Sequence, residues 1–453
     1  MTKRILAIIA CLAMILATSC SSDAPQLLAF IDPNQSDKLD FDGQEFYFFT
    51  DWEETYHIPA DYTFTPTLML ELKDKRFDEA ETELNIDIIF TREDPILQLS
   101  TGYGTYELMD SDLNRIYDYY KAGILAPIEE VSTIDRSSGK WGNENFLKYG
   151  NFNGKQYGIF PWHWNHPEVT GAMMFNGELL RSFGGTIPYE FQEKGIWNWE
   201  TFENEIRSYP KERGSTPLKA IHVQEYEVLG LAALHSNNLR TIEGNEEEGY
   251  TFGLNNNEAY ETLDWLNKLY NDGLIEKASV GTFTLSNECV YYIGDSYLGL
   301  SNNAMSDTAY APLTMNEYGF ITFPHGPNGT EKNVGAYTYE IRRLMALSDK
   351  ANMEVDDIGR IANYLFEPVE GYTDSMWKTE LRDYTFHSEE CYENYLMLIE
   401  NPEYNFGVQL ANSKDKVYSA ISNSITGIDT ASVALDRISD TINNIAENLA
   451  LGN

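Results

Sequence analysis

The amino-acid sequence predicts an α/β protein built from two lobes. Its 453 residues exceed what one hydrophobic core usually holds. Segments with strand-like and helix-like patterns alternate along the chain, and this alternation is typical of α/β architecture. Near the start of the chain one complete strand–helix–strand unit can be followed, which predicts parallel strands joined by a right-handed crossover.

The strand–helix–strand unit begins at an aromatic run. Phe-Tyr-Phe-Phe at 46–49 predicts a buried first strand, and Ile-Asp-Ile-Ile-Phe at 86–90 predicts the second. Between them, Thr65 as a cap and Pro66 in the first turn predict the start of a helix. The apolar face of this helix carries Leu70, Phe77 and Leu84.

Later segments predict further helices and one exposed loop. The apolar spacing over 259–270 predicts a helix that a glycine ends. Asn198 is expected to cap a helix over 199–208, and the spacing over 435–449 predicts an amphipathic terminal helix. The Gly- and Glu-rich segment 243–249 is expected to be a solvated loop.

The start of the chain has the pattern of a secretion signal. Lys3 and Arg4 precede an apolar run over 5–17, which is too short to cross a bilayer as a helix. The run leads into Cys20, and this resembles the lipobox of bacterial lipoproteins, although Ala17 stands where that family favours Leu. The resemblance implies that the Cys20 thiol takes a diacylglyceryl group.

The alternative to a lipoprotein is an ordinary signal peptide with an incidental cysteine. The segment after Cys20 is polar and contains a proline, as expected for a disordered tether, and this favours the lipoprotein. No later segment has the 18 or so apolar residues of a membrane span, so the rest of the chain is expected to be soluble.

The acidic charge of the chain disfavours nucleic acid and anionic lipid as partners. The chain carries 71 acidic and 32 basic residues, a net charge of −39, and such a surface repels nucleic acid and anionic lipid. Solubility alone is an alternative reason for most of the acidic residues.

Cys289 and Cys391 are far apart in sequence and have no metal-ligand spacing, so two separate buried thiols are expected rather than a disulfide.

Several segments together resemble the extracellular solute-binding proteins that include maltose- and oligosaccharide-binding members. The resemblance spans roughly Phe41 to Asn363, and the order of the motifs is more specific than any one of them. Two departures stand out: segment 283–295 lacks the family's Lys-Ala-Met core, and Ala336 replaces the second glycine of the hinge pair. The similar segments are 153–162, 174–180, 197–202, 264–275, 323–327 and 335–338.

The resemblance implies a type II periplasmic-binding-protein-like fold, in which strands cross between two discontinuous lobes and a solute binds in the cleft. It also implies delivery to the permease of an ABC importer, a monomer, and neither enzyme activity nor a cofactor. The implied division is a signal peptide at 1–19, a lipidated tether at 20–40, lobe 1 at 41–160 with about 315–365, and lobe 2 at 161–314 with about 366–453.

A sugar cleft needs aromatic rings for C–H faces and planar polar groups for hydroxyls. Trp162 and Trp164 follow a predicted strand, where alternation would put both rings on one side as a stacking platform. Packing of one or both in the core is the alternative. His163 and His166 lack a further ligand at a convincing spacing, which disfavours a metal site.

The loop after the first strand is the second candidate for the cleft. Ligands bind beyond the carboxyl ends of strands in open α/β sheets. Trp52 could stack there while Asp51 or Glu53 binds hydroxyls, although a solvated acidic turn is an alternative. Asp112 resembles a cleft carboxylate of the family but could instead cap a helix over 113–122.

Three further residues complete the predicted ligand-binding set: Asp295, Tyr337 and Trp377. Together these residues predict a sugar or oligosaccharide as the solute. A polyamine, a peptide or another cationic solute is an alternative that the acid excess could suit. A glycoside hydrolase is a further alternative, but its two carboxylates need a set separation and no motif singles out such a pair. No catalytic residue or metal site is therefore predicted.

Overall fold

A computed structural model of the protein shows two central sheets with helices packed on them. The two sheets are the cores of two lobes, as the sequence predicts. The structure describes residues 39–59, 68–101, 106–245, 249–279, 288–296, 300, 315, 317–329, 337–338, 341–369, 371–372, 375–400, 403–404 and 413–450.

Strands in the described part of the chain are numbered in chain order. They are β1 (Gln44–Thr50), β2 (Ile86–Thr91), β3 (Leu108–Ser111), β4 (Asn151–Phe152), β5 (Lys155–Gln156), β6 (Ala172–Asn176), β7 (Glu212–Arg213), β8 (Thr216–Pro217), β9 (Lys219–Val223), β10 (Ile242–Asn245), β11 (Gly249–Phe252), β12 (Ile275–Lys277), β13 (Cys289–Gly294), β14 (Tyr318–Ile321), β15 (Tyr337–Thr338), β16 (Leu344–Leu347) and β17 (Glu403–Tyr404).

The α-helices are numbered in the same way, and the short helical turns carry no label. The helices are α1 (Leu68–Leu84), α2 (Pro95–Thr101), α3 (Leu113–Lys121), α4 (Glu144–Leu147), α5 (Gly177–Ser182), α6 (Pro188–Glu193), α7 (Trp199–Ser208), α8 (Tyr226–Ser236), α9 (Asn257–Asn271), α10 (Val355–Leu365), α11 (Met376–Glu380), α12 (Glu389–Glu400), α13 (Lys414–Thr426) and α14 (Ala431–Ala450). Short 3-10 turns occur at Glu53–Thr55, Ile128–Glu130, Arg136–Ser138 and Lys148–Gly150, and a π-helical turn at Leu381–Thr385.

The first lobe has a four-stranded sheet in the order β16-β3-β1-β2. β1 pairs in parallel with β2 and β3, and the Phe46↔Ile88 register matches the predicted strand–helix–strand unit. Phe46 and Phe48 face a core that α1 and α10 cover, while Phe49 faces the opposite side. The predicted helix start at Thr65 and Pro66 lies outside the described residues, and α1 is described from Leu68 onward.

The second lobe has a five-stranded sheet in the order β12-β9-β13-β6-β14. β12, β9 and β13 are parallel, whereas β6 runs antiparallel to both β13 and β14. Its main core combines this sheet with α7, α8, α9, α13 and α14. Asn198 caps α7 by accepting a hydrogen bond from the Thr201 amide at 2.9 Å, as predicted.

The described chain passes between the lobes at three places. Residues 162–171 lead from the first lobe to β6, and the return lies between Gly329 and Ile341. Helix α11 still packs on α1 of the first lobe, whereas α12 packs on β14 of the second. The predicted lobe boundaries near 315 and 366 are therefore too early.

The reason for the first boundary error is strand β14. Phe320 and Ile321 are buried on opposite faces of the second sheet, where β14 extends the sheet next to β6. An apolar run of this kind is compatible with the edge of either sheet, so its sequence does not show which lobe it belongs to.

The segment 243–249 differs from its prediction as a solvated loop. β10 and β11 pair antiparallel on either side of residues 246–248, with Ile242 opposite Phe252. The apolar ends of this hairpin pack against the second-lobe core, and that packing stabilises strands in a sequence whose middle is polar.

Cys289 and Cys391 are both buried and free, as predicted. No helix in the described part of the chain is both long enough and apolar enough to span a membrane. Residues 1–38, which include Cys20, lie outside the described residues.

Candidate binding cleft

Polar side chains collect where the two sheets approach the crossover segments. The carboxyl ends of β1 and β3 supply one group of these residues, and the carboxyl ends of β9 and β13 supply the other. Open α/β sheets bind ligands beyond the carboxyl ends of their strands. The candidate site therefore lies between the lobes.

Asp110 is the buried acid at the end of β3. Its Oδ2 accepts hydrogen bonds from the Tyr56 hydroxyl at 2.8 Å and from Thr50 Oγ1 at 3.1 Å. The Nε of Arg343 lies 3.1 Å from the same oxygen. Burial raises the pKa of Asp110, and the Arg343 charge opposes that rise. The arginine therefore helps keep this carboxylate ionised inside the protein.

Arg343 joins Asp110 to two aromatic rings, those of Trp52 and Tyr56. Its guanidinium lies 5.0 Å from the ring centre of Trp52 and 4.8 Å from that of Tyr56. A guanidinium over an aromatic face is attracted by the ring quadrupole. The Arg343 backbone has φ of 66°, in the left-handed region that non-glycine residues rarely adopt. The residue just before β16 thus holds an unfavourable conformation while its side chain sits between two rings.

Lys73 of α1 lies behind the Tyr56 ring. Its Nζ is 4.9 Å from the ring centre and donates a hydrogen bond to Asn165 Oδ1 at 3.1 Å. Burial lowers the pKa of Lys73 to about 7, and the nearby Arg343 charge adds to this effect. The first lobe therefore carries two cations and one carboxylate around a single tyrosine ring.

The two crossover segments are linked by an ion pair. Arg342 Nη1 lies 3.3 Å from Glu168 Oε2, which joins the return crossover to the outgoing one. Burial raises the pKa of Glu168, although about 30% of its side chain remains exposed. A side chain that is partly accessible to solvent yet surrounded by protein is typical of the floor of a cleft.

The second lobe contributes Asp295 and Gln224. The Gln224 side chain donates to Asp295 Oδ2 at 3.1 Å and accepts from the Asp295 amide at 2.9 Å. The charge of Asp295 also raises the pKa of Glu168, after burial and against the two arginines. The Ser296 amide, next to Asp295, donates to the carbonyl of Val169, next to Glu168, at 2.7 Å, which brings the predicted residue Asp295 near the crossover ion pair.

A small cavity of about 50 Å³ opens beside the polar cluster. Glu380 lies at its edge, and its charge acts on Lys73. This volume lies well below the range of small-molecule sites, which is about 300–1,000 Å³. Lining side chains come from α1 and from the segment around α11: Leu68, Met69, Leu72, Tyr372, Met376, Thr379, Glu380 and Tyr384.

The acidic residues predicted beside Trp52 have cationic partners. Asp51 accepts two hydrogen bonds from Arg115 Nη1, at 2.9 and 3.1 Å. Glu53 lies 3.9 Å from Arg92 Nε. Each carboxylate keeps about a third or more of its side chain exposed, so both stay predicted ligand contacts.

Asp112 caps a helix, as the alternative interpretation of this residue predicts. Its Oδ1 accepts from the amides of Asn114 and Arg115 at 2.9 and 3.1 Å, which caps α3. Capping accounts for Asp112, and the buried carboxylate next to the cleft is Asp110, two residues earlier. Asp110 and Asp112 are two positions apart, and alternate positions share one side of an extended strand. The ligand contact of Asp112 stays a prediction.

Trp162 and Trp164 do not form one platform. The amides of Trp164 and Asn165 both donate to the Pro161 carbonyl, so the chain turns here instead of continuing as a strand. Trp164 is 1% exposed in the first-lobe core, with its Nε1 donating to the Glu367 carbonyl at 2.9 Å. The core alternative therefore accounts for Trp164.

Trp162 and Trp377 pack against each other between the lobes. Trp377 Nε1 donates to the Trp162 carbonyl at 2.7 Å, and the two rings meet edge-on at 5.7 Å. Both side chains are buried in a cluster that joins the first sheet to the second. This packing favours a structural role for the pair, and their ligand contacts remain untested predictions.

The remaining predictions have mixed outcomes. The backbone of Tyr337 forms β15, which pairs with β17, but its side chain lies outside the description. His166 Nε2 lies 2.9 Å from the Tyr395 hydroxyl, and burial lowers its pKa to about 3. In the described residues no group of three or more His, Cys, Asp or Glu could hold a metal ion.

Tyr56, Lys73, Glu168 and Arg343 were not predicted as site residues. Each lies outside the quoted motifs, and they meet only because α1 and two crossovers converge. One local signal existed for Glu168, since it follows the tryptophan-rich segment by a few residues. Arg343 carries no local signal at all.

Two sheets, three crossovers and polar residues between them define the fold of the two-lobed solute-binding proteins. Solved structures with this fold match over almost their whole length, at sequence identities that support the fold alone. No family model matches the sequence, and a search of curated proteins finds no significant match.

Three solved structures illustrate the similarity. The cyclic alpha-maltosyl-1,6-maltose binding protein of Arthrobacter globiformis has a TM-score of 0.63 at 14% identity, covering 90% of this chain and 100% of that one. The GacH receptor of Streptomyces glaucescens GLA.O, solved unliganded and with acarbose, has 0.61 at 12%, covering 90% and 99%. The ABC substrate-binding protein Lmo0181 of Listeria monocytogenes, solved with cycloalternan, has 0.57 at 13%, covering 90% and 99%.

Proposed function

We propose that this protein captures a sugar or oligosaccharide outside the cell and delivers it to an ABC importer. The observation that carries the proposal is the position of Trp52. Its ring lies at the carboxyl end of β1, backed by the Arg343 guanidinium and next to the buried Asp110. A flat ring beside carboxylate, amide and guanidinium groups offers what a sugar needs, namely an apolar face and partners for its hydroxyls.

The composition of the cluster supports a neutral solute over a strongly charged one. Arg343 pairs with Asp110, and Arg342 pairs with Glu168. Paired charges still donate and accept hydrogen bonds but leave little net charge for an ionic ligand. The solved structures with this fold support a carbohydrate as well, since their ligands are acarbose, cycloalternan and maltotetraose.

Binding without turnover is part of the proposal. The similar solved structures are binding proteins rather than enzymes. Asp110, Glu168 and Asp295 are each engaged by an arginine or a glutamine, which supports a role in holding a ligand. Incubation with maltotetraose followed by product analysis tests this point. Release of shorter sugars would contradict the proposal.

We also propose that the protein works as a monomer tethered to the membrane through Cys20. The lipobox-like sequence and the polar segment after it support the tether. Metabolic labelling with an alkynyl fatty acid tests it, and the matched variant is Cys20→Ser. Label on the wild-type chain and none on the variant is expected. Equal labelling of both chains would contradict the anchor.

A thermal-shift screen tests the binding proposal. The panel includes maltose, maltotetraose, a cyclodextrin and acarbose, with spermidine and a short peptide as competing classes. A ligand that binds only the folded state stabilises it by about 2.7 kcal/mol at a hundred times its dissociation constant. A shift for one or more sugars supports the proposal, whereas a shift for spermidine or the peptide alone would overturn it.

A further inference from the structure

The surroundings of the Arg343 side chain indicate a role beyond structural support. Its guanidinium lies between the rings of Trp52 and Tyr56, and only 12% of the side chain is exposed. Its ion-pair partner Asp110 is fully buried. Two charged groups have therefore been taken out of water, which is costly unless their geometry is fixed from several sides.

The backbone of Arg343 adds a second, independent observation. Its φ of 66° is unusual for a residue with a long side chain. Strained residues of this kind persist where the surroundings determine them, and they concentrate at functional sites. The strain aims the side chain into the first lobe, while Arg342 turns the other way toward Glu168.

The ring of Trp52 depends on this arrangement for its orientation. Among the described residues no aromatic ring stacks on Trp52, and the contact that fixes one of its faces is the Arg343 guanidinium. The loop itself is held by the Trp52 amide, which donates to Thr50 Oγ1 at 3.0 Å. That hydroxyl also donates to Asp110, so the ring, the loop and the arginine share one carboxylate.

We propose that Arg343 is a positioning residue that holds the Trp52 ring ready to stack on a sugar, with Asp110 fixing the guanidinium beneath the ring. The inference rests on the proposed function, because it assigns the sugar to the far face of Trp52. Arg343 does not touch the sugar. It raises affinity because a ring that is already oriented loses little freedom when the ligand binds.

A double-mutant cycle separates positioning from general support. The variants are Arg343→Met, Trp52→Leu and their combination in the full chain, titrated with the sugar that gives the largest thermal shift. Cation–π contacts predict roughly a 2- to 10-fold loss of affinity for Arg343→Met, because the loss cannot exceed what the ring itself contributes. Because Arg343 acts through the ring, the double variant should bind no more weakly than Trp52→Leu alone. Additive losses would overturn the proposal.

Conservative and control variants keep the result interpretable if Arg343→Met folds poorly. Arg343→Lys retains the charge but lacks the planar group that stacks, so it should recover only part of the affinity. Lys140→Met is the matched control, since Lys140 is also a buried cation over a tryptophan, Trp141, and pairs with Glu367. It should leave sugar affinity unchanged.

A readout without sugar distinguishes this inference from the proposed function. Fluorine NMR of the chain labelled with 5-fluorotryptophan reports each of its 8 tryptophans, and the Trp52 signal is the one missing in Trp52→Phe. Arg343→Met should shift and broaden that signal, and Lys140→Met should not. If no sugar binds the wild-type chain while the Trp52 signal still responds, the proposed function fails and the positioning role stands. An unchanged Trp52 signal in Arg343→Met would refute the positioning role.

Discussion

Two tryptophan-bearing segments of the first lobe were both predicted to follow strands, but their surroundings differ. The loop after β1 carries Trp52 above a guanidinium and beside a buried carboxylate. The turn at 161–165 carries Trp164, whose ring is enclosed in the first-lobe core and whose Nε1 is bonded to a backbone carbonyl. A ring that keeps part of its surface exposed stays available to a ligand, whereas a ring that is enclosed on every side is part of the core.

This difference means that Trp52 should govern affinity and Trp164 should govern stability. The distinction also applies to the charges around them. Arg343 beside Trp52 has a buried ion-pair partner, Asp110, at the carboxyl end of β3, whereas Arg76 lies 5.8 Å from the Trp164 ring inside the lobe. Substitutions at the two rings therefore separate folding from binding.

The largest expected effect is that of Trp164→Ala on stability. Removing a fully buried tryptophan leaves a cavity and an unpaired carbonyl, which should lower the free energy of unfolding by about 3–5 kcal/mol. Urea denaturation measures the loss. Trp164→Phe, which refills much of the space, should lose less. If Trp164→Ala were as stable as the wild-type chain, the Trp164 ring would not be part of the core.

The next effect is that of Trp52→Ala on sugar binding. Loss of a stacking ring should weaken affinity about tenfold, equivalent to about 1.4 kcal/mol. The sugar-induced rise in melting temperature should shrink accordingly, while the melting temperature without sugar changes little because the ring is partly exposed. A large drop in stability without sugar would place Trp52 with Trp164, and the comparison between them would fail.

The fold was predictable where local patterns determine it. The aromatic run of β1, the apolar spacing of α9 and the cap at Asn198 are each decided by neighbours in sequence, and the structure confirms them. The lobe boundaries were less predictable, because β14 and the crossovers are apolar segments that suit either sheet.

The site was predictable only in part. Trp52 was predicted because ligands bind beyond the carboxyl ends of strands in α/β sheets, and its contact with a ligand stays a prediction, as does that of Asp295. Arg343 and Lys73 meet Asp110 through tertiary contacts that no local pattern encodes. Trp164 was selected for the same local reason as Trp52. The chain turns at Pro161, whose carbonyl accepts two backbone hydrogen bonds, and this turn directs Trp164 into the core.

Lys73 offers a prediction of pH dependence. Burial lowers its pKa to about 7, next to Arg343 and facing Asp110 and Glu380. The unfolded chain therefore binds the proton between about pH 7 and 10 while the folded chain does not, so stability from this residue rises with pH by about 1.4 kcal/mol per unit. Below about pH 7 both states bind the proton, so Lys73 no longer makes stability depend on pH and destabilises the folded chain most.

Urea unfolding at pH 7.5 and 9 checks the Lys73 prediction. Lys73→Met should show a weaker gain with pH than the wild-type chain. Lys75→Met is the matched control on the same helix, because the Lys75 side chain is 46% exposed. A gain in Lys73→Met as large as that of the wild type would show that the lysine titrates normally.

The smallest expected effect lies at the edge of the cavity. Tyr384 is 70% exposed and lines the cavity beside the polar cluster. Tyr384→Ala should weaken binding of a tetrasaccharide by roughly threefold, as expected for one partly solvated ring, and leave a disaccharide unaffected. Ile428→Ala, an equally exposed apolar residue of the second lobe, is the control. Equal losses for both sugars would show that the cavity is not an extension of the cleft.

Isothermal titration calorimetry of the wild-type chain and of Trp52→Ala, with one oligosaccharide, tests the account most directly. The account predicts one sugar bound per wild-type chain and about tenfold weaker binding by Trp52→Ala, with Trp164→Phe matching the wild type. Equal affinity in the wild type and Trp52→Ala, or no heat from any sugar with the wild-type chain, would contradict it.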